Sequence, residues 1–366
     1  MAQIRPWLFL WMRHLDGVLL LLVLALLGVG LAVVASASGQ SPARISGHLL
    51  NISLALAVML VVANVPPHIL SKFGPPLYIA GVVLLLGVAL FGEVRNGSRR
   101  WLNLGVMSFQ PSELLKLALP LMLAWYFQRH EAVLRARHYW VGALLLLIPF
   151  LFILRQPDLG TALLIGASGF YLLYFAGLSW KVIGGGLALG SASLPLVWSL
   201  MHDYQRRRVL TLLDPGADPL GAGYHTIQST IAIGSGGMFG KGWMQGTQSQ
   251  LDFIPERTTD FVFAVFGEEF GYLGAILLIG LYLAIVARGL VLALRAPTLF
   301  GRVMAGTISL NLFTYVFVNI GMVSGILPVV GVPLPLVSYG GTAMITLLLG
   351  MGILMSVATH RQINRT

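Results

Sequence analysis

The run Phe253-Ile254-Pro255-Glu256-Arg257-Thr258-Thr259-Asp260-Phe261-Val262-Phe263 sets two carboxylates and a guanidinium where a long polar stretch meets an apolar one. Only 13 of the 366 residues are acidic. Charge kept at such a border is costly and marks a functional-site hypothesis. A carboxylate placed there is suited to general-base work, and Asp260 is the first candidate. Its structural alternative is an N-cap for the helix that follows, with Thr258 and Thr259 competing for the position. Glu268 and Glu269 lie eight and nine residues on, roughly 12 Å deeper at a helical rise of about 1.5 Å per residue. That is too far for two carboxylates to share one reacting centre at short range. One carboxylate acting alone is the simpler expectation.

Other charged residues have the right types and spacing to support it. Glu113 and Lys116 sit three apart behind Pro111 and Ser112, so a helix starting there carries both on one face. Near lipid they should turn inward and pair, either as a packing device or to present charge to a phosphate. Asp158, in Arg155-Gln156-Pro157-Asp158-Leu159-Gly160-Thr161, either caps the next helix or completes a cavity with Arg155. Arg206-Arg207-Arg208 forms a solvated turn or a diphosphate clamp. The stretch Gly234-Ser235-Gly236-Gly237-Met238-Phe239-Gly240-Lys241-Gly242 fails the Walker A pattern, because Lys241 is followed by Gly242. It folds either as a backbone nest for an anion or as a loop needing positive φ. Pro333-Leu334-Pro335-Leu336-Val337-Ser338-Tyr339-Gly340-Gly341-Thr342 interrupts the helix pattern at a membrane edge, where irregular backbone persists if it lines a cavity. The histidines show no metal-ligand spacing. The absence of cysteine excludes disulfides, thiolate metal sites and a thiol nucleophile.

The elements that position these residues are transmembrane helices. The chain is 57% hydrophobic and 10% charged, with a mean hydropathy of +0.84. Apolar runs long enough to cross about 30 Å of hydrocarbon recur from end to end. The fold class is an all-α polytopic membrane protein, with ten spans expected at 17–37, 48–66, 76–92, 112–127, 139–154, 159–178, 181–201, 261–287, 303–324 and 337–358. The whole chain, 1–366, reads as one integral-membrane domain. A large polar loop at 202–260 joins the seventh and eighth spans, and 92–111 forms a second polar segment. The run from Val18 to Ala37 is too long for a signal h-region and follows Arg5, Arg13 and His14, so it reads as an anchor and not as a cleaved leader.

The net charge of +10 lies in the connections, which points to topology and anionic lipid in place of nucleic acid. The basic short loops put both termini on the cytoplasmic side and both long polar segments outside. Arg95, Arg99, Arg100 and Arg206–Arg208 defy that bias, as expected if an anion binds there.

Several motifs occur together, in order. They are Asn96-Gly97-Ser98-Arg99-Arg100-Trp101, Phe109-Gln110-Pro111-Ser112-Glu113-Leu114, Gln156-Pro157-Asp158-Leu159-Gly160-Thr161, Gln248–Arg257, Thr259-Asp260-Phe261 and Pro335-Leu336-Val337-Ser338-Tyr339-Gly340-Gly341. In these the chain closely resembles the SEDS family (shape, elongation, division and sporulation) of integral-membrane peptidoglycan glycosyltransferases. The Gln248–Arg257 run and the short tails favour its elongation branch over its division branch, although Thr258 stands where a histidine is frequent.

The resemblance implies polymerisation of lipid II on the outer face of the bacterial cytoplasmic (inner) membrane during elongation. Asp260 would be the catalytic base for attack of GlcNAc O4 on MurNAc C1, with undecaprenyl diphosphate leaving. Arg99, Arg100, Trp101, Glu113, Lys116, Asp158, Arg208, Lys241 and Ser338 would serve the substrate. A class B penicillin-binding protein (a transpeptidase) and other elongation-complex proteins are the implied partners. No cofactor is called for; a divalent cation, magnesium or manganese, near Asp260 and Asp158 is compatible with the chemistry, though no dedicated cage is visible. A lipid II flippase without catalysis, or a scaffold for a partner enzyme, would share the topology. The scaffold leaves Asp260 and Lys116 unexplained.

Overall fold

Apolar runs become helices because no water is available inside a bilayer to satisfy the backbone. The computed structural model describes residues 14–95, 98–103, 108–156, 158–201, 206, 209–212, 214, 216 and 222–360. Its helices in chain order are α1 (Gly17–Ala37), α2 (Pro42–Ala63), α3 (Pro67–Lys72), α4 (Gly74–Phe91), α5 (Pro111–Arg129), α6 (Ala136–Arg155), α7 (Leu159–Phe175), α8 (Trp180–Leu200), α9 (Ala222–Ser235), α10 (Thr247–Gln250), α11 (Val262–Arg295), α12 (Leu299–Val323) and α13 (Gly341–Thr359). Seven are long and apolar enough to cross a membrane, namely α1, α2, α4, α6, α11, α12 and α13. The remaining three expected spans fall on α5, α7 and α8.

Two departures from the expected pattern matter for the site. The span expected at 261–287 is a 34-residue helix reaching Arg295, with non-helical φ/ψ at Gly271. At about 1.5 Å per residue it exceeds the hydrocarbon thickness. The piece before Gly271, which holds Glu268 and Glu269, is therefore a separate segment set at an angle to the rest. The polar segment after α4 is not irregular throughout. It forms a small antiparallel sheet, β1 (Glu93–Arg95), β2 (Ser98–Asn103) and β3 (Ser108–Phe109), in the order β1-β2-β3. Glu93 pairs with Trp101 and Leu102 with Phe109.

The core is built around α12, which packs on α5, α7, α11 and α13 and is the most buried of the seven long apolar helices. α2 and α13 pack closely along their length. The outer surface is apolar instead of polar, as lipid contact requires: Leu21, Val83, Leu144, Leu189, Leu277 and Phe317 are all exposed. The polar connections gather at the two ends of the bundle. At one end His14 stacks on His360, with ring centroids 4.0 Å apart, and Arg302 reaches Glu131 at 3.4 Å. The other end carries Asp260.

Candidate active site

The residues from Ile254 to Phe261 form a series of tight turns that run into α11 at Val262. Asp252 and Glu256 take positive φ, and Arg257 pairs with Asp252 while bonding the Ser249 carbonyl. Three successive carbonyls are then pinned by donors from elsewhere in the chain. Thr258 O accepts from Tyr339 N at 2.8 Å, Thr259 O from Ser338 Oγ at 2.6 Å, and Asp260 O from Asn319 Nδ2 at 2.8 Å. Asp260 does not cap α11: the N-cap is Phe261, with no side-chain cap bond. Among the described residues the Asp260 carboxylate takes part in no hydrogen bond or ion pair. It lies against Gly331, whose φ of +70° suits glycine and whose Cβ, were there one, would sit 3.3 Å from Oδ2. Burial, reinforced by the charge of Glu256, pushes the Asp260 carboxyl up to about 6.

Asp158 approaches from the other side of the same loop. Gly160 packs directly on the backbone at Val330 and on Val332, so the 330–332 segment touches both the start of α7 and Asp260. Asp158 is the cap of the next helix and also an ion-pair partner. Oδ1 caps α7 through Thr161 N at 3.1 Å, while Oδ2 faces Arg100 Nη1 at 3.5 Å and Gln110 Nε2 at 3.4 Å. The cation is Arg100 in place of the expected Arg155. Arg100, delivered by β2, also donates Nε to Gln156 O at 3.3 Å. Trp101 follows it on the same strand and is partly buried. The side chain of Arg99 and the whole of Arg208 lie outside the described residues.

One helical turn below Asn319 on α12, Tyr315 marks the second charged pair. Lys116 Nζ lies 2.6 Å from Glu113 Oε1 and 5.4 Å from the Tyr315 ring centroid. Glu113 Oε2 is buried without a hydrogen-bond partner. A small cavity of about 40 Å³, lined by Lys116, Asn311, Tyr315 and Thr346 among apolar neighbours, adjoins the pair. Asn319 and Tyr315 stand four residues apart on one helix, so the Asp260 segment and the Lys116 pair are stacked along one face of α12.

Two expected substrate residues are engaged elsewhere. Ser338 spends its hydroxyl on backbone, accepting from Leu334 N at 2.8 Å and donating to Thr259 O. It staples the loop after α12 to the Asp260 turn. Lys241 Nζ is 2.8 Å from Glu268 Oε1. Glu268 is fully buried and also accepts from Thr247 Oγ1, Gln248 N at 2.9 Å and Ser249 N at 3.1 Å. The pair thus ties the 236–250 stretch to α11. An anion nest at 234–242 is not what the chain builds. Gly240 N, Lys241 N and Gly242 N donate to the carbonyls of Gly236, Glu268 and Glu269, which leaves those amides committed. A Cβ at Gly240 would fall 2.1 Å from Glu269 O, so the glycines serve close packing.

Sequence reasoning missed Asn319, Arg44, Gln110 and Tyr315. Arg44 Nη1 donates to Thr258 Oγ1 at 2.9 Å. The available signal was an amide or phenol inside an apolar run, which is rarely left there without a partner.

Among the described residues no group of three or more His, Asp or Glu side chains is placed to hold a metal ion. The oxygens of Asp158 face Thr161 N, Arg100 and Gln110. A cavity of about 500 Å³ lined by His14, His68, Gln128, Thr298 and His360 lies at the opposite end of the bundle and touches none of the site residues.

The chain matches the cell cycle protein family model that covers FtsW, RodA and SpoVE over residues 17–363. It is 53% identical over 350 residues to the peptidoglycan glycosyltransferase MrdB of Escherichia coli K12, covering 95% of each chain. It is 36% identical to the probable peptidoglycan glycosyltransferase FtsW of Aliivibrio salmonicida, over 93% of this chain and 88% of that one. Among solved structures, a chain in work described as "Structural coordination of polymerization and crosslinking by a peptidoglycan synthase complex" superposes with a TM-score of 0.81 at 34% identity, over 94% and 97% of the two chains. The rod shape determining protein RodA of Thermus thermophilus gives 0.72 at 32% identity, over 95% and 98%. The chain belongs to the FtsW/RodA/SpoVE family of multi-pass membrane proteins.

Proposed function

We propose that in this peptidoglycan glycosyltransferase Asp260 is the general base for glycan-strand polymerisation from lipid II. The observation that carries the reading is a half-buried carboxylate, on a turn whose backbone is fixed by three donors, that is engaged by no residue described. A structural acid in such a place would be paired.

The acceptor GlcNAc O4 loses its proton to Asp260 as its lone pair attacks C1 of the donor MurNAc. The C1–O bond to undecaprenyl diphosphate breaks, and the electron pair leaves with the phosphate. A single carboxylate suffices because no covalent intermediate is formed. The departing diphosphate needs fixed cations. Arg100, held by Asp158 and Gln156 across the 330–332 loop, and Lys116, one turn deeper, are the ones the geometry offers.

The site then faces the outer side of the bacterial cytoplasmic membrane, with both termini cytoplasmic. The opposite end carries Lys72, Arg129, Arg135, Arg137, Lys181, Arg295 and Arg302, which supports that orientation by the positive-inside bias. Glycan strands need crosslinking and this chain holds no transpeptidase domain in its described bundle, so a class B penicillin-binding protein is the proposed partner, within an elongation complex.

The test is polymerisation of labelled lipid II by the purified protein together with a partner carrying only transpeptidase activity. Long glycan is expected. Lipid II crossing liposomes with no polymer formed would overturn the reading in favour of the flippase.

A further inference from the structure

Asn319 belongs to a helix of 25 residues that is otherwise mostly apolar, and it is fully buried. An amide survives in such a place when its N–H groups have partners that nothing else supplies. Nδ2 donates twice, to Asp260 O at 2.8 Å and to Val332 O at 2.7 Å. These two carbonyls come from segments that meet nowhere else in the sequence. One belongs to the residue that bears the candidate base. The other follows Gly331, the residue against which Oδ2 of that base rests. A single amide thus clamps both walls of the carboxylate's niche.

The other two pinned carbonyls, Thr258 O and Thr259 O, are held by Tyr339 and Ser338, which lie on the same loop between α12 and α13. Those bonds tie loop to loop. Arg44 of α2 holds the Thr258 hydroxyl, whereas Asn319 ties the backbone of Asp260 itself to a membrane helix and so fixes its depth relative to Tyr315 and Lys116 below.

Resting on the assignment of Asp260 as base, we infer that Asn319 is a positioning residue for the reaction: its amide sets the place and the hydration of the Asp260 carboxylate. The Asn319 side chain is fully buried and acts through the Asp260 turn. Removing its donors leaves Val330–Val332 free to lift from Asp260 and admits water to Oδ2. A hydrated carboxylate titrates closer to its ordinary value and is a weaker base.

The experiment is the pH dependence of kcat for Asn319→Ala and Asn319→Ser in the complete chain with its partner, beside wild type and Asp260→Asn. Rates are referred to folded protein by size exclusion. Asn319→Ala should lower kcat by about 10- to 100-fold with KM for lipid II changed less than about threefold. Its acid limb should move to lower pH, and Asn319→Ser, which keeps one donor, should lie between. A wild-type kcat and an unmoved acid limb would overturn the inference. Failure of both variants to fold would also overturn it, leaving Asn319 a purely structural residue. An acid limb that persists in Asp260→Asn would instead sink the assignment of the base itself.

Discussion

Asp260→Asn should lose roughly 10²- to 10⁴-fold in polymerisation rate while the protein still folds and still binds its partner. The amide is isosteric and cannot accept the O4 proton. No described side chain uses the Asp260 carboxylate, so nothing else in the fold loses a bond. The same change should raise thermal stability at pH 7.5. The Asp260 carboxyl is raised to about 6 from an ordinary value of 3.8, so folding disfavours its charged form. The cost is fully present above the folded value, shrinks as pH falls through it, and vanishes below the unfolded one. The upper bound is on the order of 3 kcal/mol, and partial exposure reduces it to about 1–2 kcal/mol. A thermal-shift series from neutral pH downward should show the variant's advantage fading below pH 6. Rapid polymerisation by Asp260→Asn would remove the base; a less stable variant would show that the carboxylate has a structural partner.

Lys116→Ala should be the most damaging substitution for the fold. Lys116 and Glu113 keep only 10% and 12% of their side-chain surface exposed. Removing the ammonium leaves a buried carboxylate, one of whose oxygens already lacks a partner, and breaking such a pair costs about 3–5 kcal/mol. Replacing both, as Lys116→Met with Glu113→Leu, should recover most of that loss, because a desolvated ion pair and apolar packing of similar volume are close in energy. The double variant separates the two roles of the pair. If Lys116 serves only packing, its restored melting temperature should come with restored polymerisation. A stable but inactive double variant is the expected result, since the departing diphosphate then lacks its deeper cation. Full activity in that variant would confine Lys116 to structure.

The parts of the site legible in the sequence were those fixed by short spacing. Glu113 and Lys116 pair because three residues on a helix face one another, and Asp158 caps because it directly precedes one. The ten apolar runs each fall on a helix because hydrocarbon thickness sets their length. What was not legible depends on contacts between distant segments. Nothing in the local pattern says that Asn319, 59 residues from Asp260, holds its carbonyl. Nor does it say that Ser338, 79 residues from Thr259, is spent on its carbonyl. Lys241 looked like an available cation because its partner Glu268 lies 27 residues away, across a kink at Gly271 that the apolar run conceals. Composition likewise gave no sign that 93–109 would pair as strands.

The most direct measurement is kcat/KM for lipid II polymerisation as a function of pH, from about 4.5 to about 8.5, with substrate well below KM. Asp260 acting as base from a carboxyl raised to about 6 requires an acid limb that half-rises near that pH and is absent from the residual rate of Asp260→Asn. A rate that stays flat down to the ordinary carboxylate range, or a limb that survives in the variant, would contradict it.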